Sequence, residues 1–223
     1  MRAATQDNHE AAMTRNWVLL TIGLLGLGAV ACVDDLALAP LPPKVSELVH
    51  YWHFNALPTG TIATPVPADV SKLTGANITY PGTGAGYMDQ VDPGSALNLQ
   101  EGQPAGLGLR PRNPANVRDL IIVAPSTGYE KLIFSFAVMR SSNGAAQEEF
   151  SYSVDGGTTW VVVDAAYNIE LDYAVKTINL STVTAVNNQA NLRFRIRFLG
   201  DLAAGTSGNN RFDNILIEGI PIS

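Results

Sequence analysis

The 223-residue chain has one cysteine, Cys32, so it holds no internal disulfide and no cysteine-built zinc site. Only 15% of its residues are charged, and the runs of Glu, Lys and Leu that build helical bundles are missing. Basic residues are in deficit, 14 Lys and Arg against 20 Asp and Glu, for a net charge of −6. That balance excludes nucleic acid as a partner, because such binding needs a cationic surface. The chain carries no G-x-S-x-G elbow, no phosphate-binding glycine loop and no H-E-x-x-H pair. With no motif for a cofactor, none is expected.

One long hydrophobic run is present. Residues 17–32 read WVLLTIGLLGLGAVAC, 16 residues without a charge, behind Arg15 and ahead of Asp34 and Asp35. As a helix this run reaches about 24 Å, short of the roughly 30 Å hydrocarbon core of a bilayer. A basic start, an apolar middle and small residues at the end make a signal peptide over residues 1–31, with translation starting at Met13 as the better n-region. The ending Leu27-Gly28-Ala29-Val30-Ala31-Cys32 resembles a bacterial lipobox. That resemblance implies lipidation at Cys32, a membrane partner through the lipid anchor, and export to the bacterial outer membrane or cell surface. Residues 32–47, with Pro40, Pro42 and Pro43, read as an extended tether.

Residues 48–223 read as one domain. Short β-branched and aromatic runs alternate with Gly, Pro, Asn and Asp clusters. Candidate strands are Leu48–Phe54, Asn77–Tyr80, Leu107–Arg110, Asp119–Val123, Lys131–Arg140, Glu149–Asp155, Thr159–Asp164, Lys176–Leu180, Asn191–Leu199 and Arg211–Glu218. In the strand over 131–140, Leu132, Phe134, Phe136 and Val138 share one face; over 191–199, Phe194, Ile196 and Phe198 alternate with Arg193, Arg195 and Arg197. About ten short strands predict an all-β fold, an antiparallel two-sheet β-sandwich of jelly-roll type, preceded only by the signal-peptide helix. The Thr- and Pro-rich segment 58–71 and the Gly-rich segment 81–106 read as long loops.

Ser153-Val154-Asp155-Gly156-Gly157-Thr158-Thr159-Trp160 fits the pattern S-x-D-x-G-x-T-W of the Asp-box. In this hairpin Asp155 accepts turn amides, Gly157 supplies a turn conformation and Trp160 packs beneath. Sialidases repeat the motif around a propeller; one copy in so short a chain is a structural hairpin.

Trp52-His53-Phe54-Asn55 near the start and Arg211-Phe212-Asp213-Asn214-Ile215 near the end, with the hairpin between them, resemble the jelly-roll or concanavalin-like modules common in Bacteroidetes-type secreted surface proteins. The resemblance implies that the opening and closing strands lie side by side. Such motifs are shared by carbohydrate-binding modules, adhesion modules and domains with no assigned role, so the resemblance implies the fold more than a ligand. It also implies a structural calcium ion as an option, with Asp213 and Asn55 as donors; the alternative is that these side chains bond backbone amides.

His50 and His53 stand three apart on a strand and so face opposite sides, which prevents shared metal ligation. Arg193, Arg195 and Arg197 put three like charges on one strand face. Either Glu148, Glu149, Glu170 or Asp172 answers them across the sheet, or the row holds acidic sugars through bidentate bonds. The leading expectation is therefore a non-catalytic surface lipoprotein that binds glycan. The runner-up is a structural or protein-binding envelope component. A glycoside hydrolase or lyase using a carboxylate pair comes third.

Overall fold

The computed structural model describes residues 43–222, and the expectations for the signal peptide and Cys32 lie outside them. Within the described residues the chain forms thirteen strands: β1 (Glu47–Trp52), β2 (Val66–Pro67), β3 (Val70–Ser71), β4 (Asn77–Thr79), β5 (Met88–Val91), β6 (Gly108–Pro111), β7 (Asp119–Val123), β8 (Tyr129–Arg140), β9 (Gln147–Ser153), β10 (Val161–Asn168), β11 (Ala174–Asn179), β12 (Arg193–Leu199) and β13 (Asn210–Pro221). Two single 3-10 turns, Thr184–Val186 and Asp201–Ala204, are the only helical pieces among them.

The strands build two antiparallel sheets. The first runs β11-β8-β13-β1-β3, with β6 also on β13 and β5 beyond it; the second runs β10-β9-β12-β7-β4-β2. All ten expected strands are present. The three unexpected ones lie in the segments read as loops. Two-residue strands such as β2 and β3 have no period to read. In β5, Asp89 breaks the apolar pattern because it is spent on an internal ion cluster.

The alternation in β8 and β12 places Leu132, Phe134, Phe136, Phe194, Ile196 and Phe198 in one core with Phe150 and Phe212. Phe134 sits 5.1 Å from both Phe150 and Phe194, centroid to centroid, which links the two sheets. Offset aromatic pairs of this kind add about 0.5–1.5 kcal/mol each beyond area burial.

The opening and closing strands do lie side by side. Trp52 pairs with Ile215 and Tyr51 with Leu216. A bulge between Asp213 and Leu216 turns β13 so that its first half meets β6 and its second half meets β1. Glu47 opens β1, and Lys44 Nζ donates to Pro221 O at 2.7 Å.

Candidate functional site

The two outer faces of the sandwich differ in what covers them. On the first sheet, Tyr51, Ser135, Asp213 and Leu216 all point away from the core, yet all are buried. The cover is the segment after β5. Gly94 N donates to Gly106 O at 2.7 Å, closing residues 94–106 into an Ω-shaped loop. The loop is fastened to the sheet by short bonds. Ser95 N donates to Asp213 Oδ2 (2.6 Å), Asn214 Nδ2 donates to the carbonyls of Ser95 and Leu97 (both 2.9 Å), and Gln100 N donates to Tyr51 Oη (3.2 Å), which itself donates to Asn214 Oδ1 within the sheet (2.6 Å). Asn98 Nδ2 bonds Asn214 O at 2.8 Å.

Asn55 and Asp213 therefore grip the two sides of the loop's neck. Asn55 Oδ1 accepts Leu107 N at 2.8 Å, and Asp213 accepts Ser95 N and its neighbour Asn214 N. A Cβ on Gly106 would collide with Asn55 Oδ1, and one on Gly94 with Asp213 Oδ2. Burial pushes the Asp213 carboxyl up to about 7, against the two amides that lower it. The oxygens of Asn55 and Asp213 thus meet backbone N–H groups, the alternative to calcium ligation, and no group of three or more His, Cys, Asp or Glu that could hold a metal ion is found among the described residues.

The outer face of the second sheet carries the arginine row. Arg195 is only 8% exposed. Its guanidinium lies over the Trp160 ring at 4.5 Å, donates to Ser151 Oγ at 3.0 Å and meets Glu149 at 3.5 Å. Burial, then Arg197, lowers its pKa. Arg193 reaches the hairpin beside Gly157. Arg197 is the open member, with a 48% exposed side chain and only long contacts, 3.5 Å to Asp119 and 3.9 Å to Glu149.

Of the four acids considered as answers to the row, Glu149 alone is the partner. Glu148 points the other way, into the core, where Asn210 Nδ2 (2.7 Å) and Tyr167 Oη (3.0 Å) donate to it. Burial pushes its carboxyl up to about 8. Adjacent residues on one strand face opposite sides, so Glu148 and Glu149 cannot flank one glycosidic bond. Glu170 and Asp172 lie in the exposed turn between β10 and β11.

The hairpin is held by Asp155, which accepts Thr158 N (3.0 Å), Thr159 N (2.9 Å) and Thr159 Oγ1 (2.6 Å). Those bonds, Thr159 Oγ1 foremost, hold its carboxyl well below the usual range. Gly156 and Gly157 both have positive φ. Trp160 is not beneath the turn alone; it also floors Arg195.

The sequence did not point to Arg118, yet it lines two adjacent grooves. One, of about 370 Å³, is lined by Asn116, Val117, Arg118, Asp119, Arg197, Phe198 and Leu199. The other, of about 250 Å³, is lined by Thr61, Ile62, Thr64, Tyr80, Gly86, Tyr87, Met88 and Arg118. Arg118 donates to Tyr80 O (2.9 Å) and Gly84 O (3.0 Å), while its Nε is buried with no partner among the described residues. Tyr87 is 40% exposed, and the Arg112 guanidinium backs its ring at 5.6 Å. Arg112 and Arg110 are both fixed by Asp89 at 2.8 Å. Burial raises the Asp89 carboxyl, but those two arginines outweigh it and the net direction is down. An aromatic inside the run GTGAGYM was the one available sequence signal.

A separate pocket of about 230 Å³, lined by Phe54, Leu57, Ile62 and Val66 among others, is mostly apolar. Its carboxylate, Asp69, already accepts the amides of His53 and Phe54. His50 is buried between Ser71 and Pro125 O, while His53 faces Asp69 at 3.8 Å.

No family model and no curated protein matches this chain. Solved structures resemble it at low identity. The CBM22-1–CBM22-2 tandem domain from Paenibacillus barcinonensis Xyn10C is 12% identical with TM-score 0.48, over 81% of this chain and 48% of that one. The CBM22-1–GH10 modules of Clostridium thermocellum endo-1,4-β-D-xylanase 10B, complexed with xylohexaose, are 16% identical with TM-score 0.42, over 63% of this chain and only 26% of that one. TmCBM61 in complex with β-1,4-galactotriose is 10% identical with TM-score 0.39, over 63% and 86%. Likeness at this level transfers no ligand to the present chain.

Proposed function

We propose that this chain is a non-catalytic carbohydrate-binding module whose glycan lies in the grooves that meet at Arg118. One observation carries the reading: a solvent-facing Tyr87 ring and two threonines on one side of Arg118, and planar charged and amide groups on the other. A sugar ring has apolar faces and a rim of hydroxyls. The faces suit an aromatic ring, and the hydroxyls suit guanidinium, carboxylate and amide groups held in fixed geometry. Arg112 holds Tyr87 from behind, and Tyr80 O and Gly84 O hold Arg118, so little ordering is left for the ligand to induce. The test is titration of the full chain, solubilised in mild detergent, with a panel of neutral and acidic oligosaccharides. Saturable binding lost in Tyr87→Ala, with the melting temperature kept, supports the reading. Silence across the panel rejects it.

The lipobox-like ending at Cys32 supports display of this module on a bacterial outer membrane or cell surface through a lipid anchor. Cys32→Ala is then expected to move the protein to the soluble fraction; unchanged membrane partition removes the anchor from the proposal. A second reading, a protein-binding envelope component, is favoured by β10. That edge strand exposes Val161, Val162 and Val163 at 50, 48 and 37%. Val162→Lys separates the two readings, because it spares the Arg118 grooves and alters only the edge.

A further inference from the structure

We infer that the glycan is acidic: an oligosaccharide whose carboxylate or sulfate group sits against Arg197, with a neighbouring sugar ring on the Tyr87 side of Arg118. This inference rests on the glycan reading above and narrows it to a substrate class.

The charge distribution is the first support. The whole chain is at −6. The outer face of the second sheet runs the other way, with Arg193, Arg195 and Arg197 on β12 and Arg118 at the groove, answered by Glu149 and Asp119. Among the described residues no carboxylate lies within ion-pair distance of Arg193. Counting Asp155 of the hairpin that Arg193 reaches, four guanidiniums stand against three carboxylates, so an anion arriving there meets an excess of one positive charge on an otherwise acidic protein. Such a local field raises both the encounter rate and the affinity for an anion.

The second support is how incompletely Arg197 is satisfied. Glu149 is shared between Arg195 at 3.5 Å and Arg197 at 3.9 Å, and Asp119 reaches Arg197 at 3.5 Å. None of these contacts has the length of a good charge-assisted hydrogen bond, which is about 2.7–2.9 Å. Asp89 shows what the same residue types do when fully engaged in this molecule: its pairs with Arg110 and Arg112 are both 2.8 Å. The Arg197 fork therefore keeps N–H donors for an oxygen-bearing anion. Carboxylate and sulfate both present the paired oxygens that fork requires.

The third support is the setting. Arg197 opens into the groove that also holds Arg118 and the exposed Asn116 amide. Asp119 in the same groove works against an anion. It is one carboxylate against two guanidiniums there, and its opposition gives the inference a test with two signs.

The experiment titrates the full chain in mild detergent with three probes: a homogalacturonate oligomer, its fully methyl-esterified form, and a sulfated galactan oligomer. Esterification keeps the sugar and removes the charge. The expected result is binding to an anionic probe about tenfold tighter than to the ester, weakening between about 50 and 500 mM NaCl. Arg197→Gln should erase that preference and Asp119→Asn should increase it, with melting temperatures within a few degrees of the parent. Binding of the uronate alone, the sulfate alone, or both, supports the inference and says which anion is read. Equal binding of the ester and the uronate, or a preference untouched in both variants, overturns it while leaving the glycan reading in place. No binding of any probe or of the wider neutral panel overturns both.

Discussion

The outer faces of the two sheets are both polar, and they end differently. On the first, the loop 94–106 is drawn down by bonds of 2.6–2.9 Å to Asp213 and Asn214 and by Gln100 N to Tyr51 Oη at 3.2 Å, so these groups are partnered within the protein. On the second, the polar groups are charged, long and joined by contacts of 3.5–3.9 Å. Amides and hydroxyls on a sheet are satisfied by a backbone segment laid over them, since backbone supplies both donors and acceptors. A row of guanidiniums offers donors only, so the N–H groups of a covering backbone segment would find no acceptors there, and the charge of the row favours anions. The closed face is thus part of the scaffold, and the open face remains available for recognition.

The comparison breaks most severely at the loop's neck. Gly94→Val would drive its side chain onto Asp213 Oδ2 and to 2.6 Å from Ala105 O. A loss of about 3 kcal/mol or more is expected, measured by chemical denaturation. If stability is unchanged, the loop is not fastened as described.

Acid–base behaviour comes next. Asp213 and Glu148 are raised to about 7 and about 8 from ordinary values of 3.8 and 4.5. Below the lower values both states hold these protons. As pH rises the unfolded chain releases them first. The stability these groups contribute is therefore fully present below pH 3.8 and is lost progressively up to about pH 7 for Asp213 and about pH 8 for Glu148. Melting temperature followed from pH 4.5 to 8.5 checks the fall, and Glu148→Gln should flatten its upper part. His50, whose pKa burial lowers, acts in the opposite direction below pH 6.5, so the Glu148 assignment falls if the parent and Glu148→Gln curves stay parallel across that range.

On the second sheet the effects are smaller. Arg195→Ala removes the stack on Trp160 and the bond to Ser151, with an expected loss of about 1–2 kcal/mol. Arg197→Ala, at the open end of the same row, should cost under about 0.5 kcal/mol of stability, because its ion pairs are exposed and long. Equal losses at Arg195 and Arg197 would erase the distinction between a structural and an available arginine.

Much of the fold was legible. The period-two runs at residues 131–140 and 191–199 mark the central strands β8 and β12, since a half-buried sheet needs one apolar face and one polar face. The β1–β13 pairing could be anticipated from the resemblance of the terminal motifs. The short strands β2, β3 and β5 were not legible, because they are held by neighbours distant in sequence and carry no pattern of their own. The arginine row was visible, but not which member is spent: Arg195 and Arg197 have the same local sequence character. They differ because Trp160 and Ser151 sit beside one, while a groove opens beside the other. Tyr87 and Arg118, which lie 31 positions apart, carried no joint signal at all.

By itself the sequence determined the class of fold, the inward side of strands β8 and β12 and the Asp155 hairpin, because alternation and turn chemistry act between near neighbours. Only the tertiary structure decided that Asp213 and Asn55 close a loop, that Glu148 is buried opposite Glu149's partners, and that Arg118 joins two grooves. Those outcomes depend on which side chains the two sheets and their loops bring together, and burial and distance are properties of that packing rather than of any local stretch of chain.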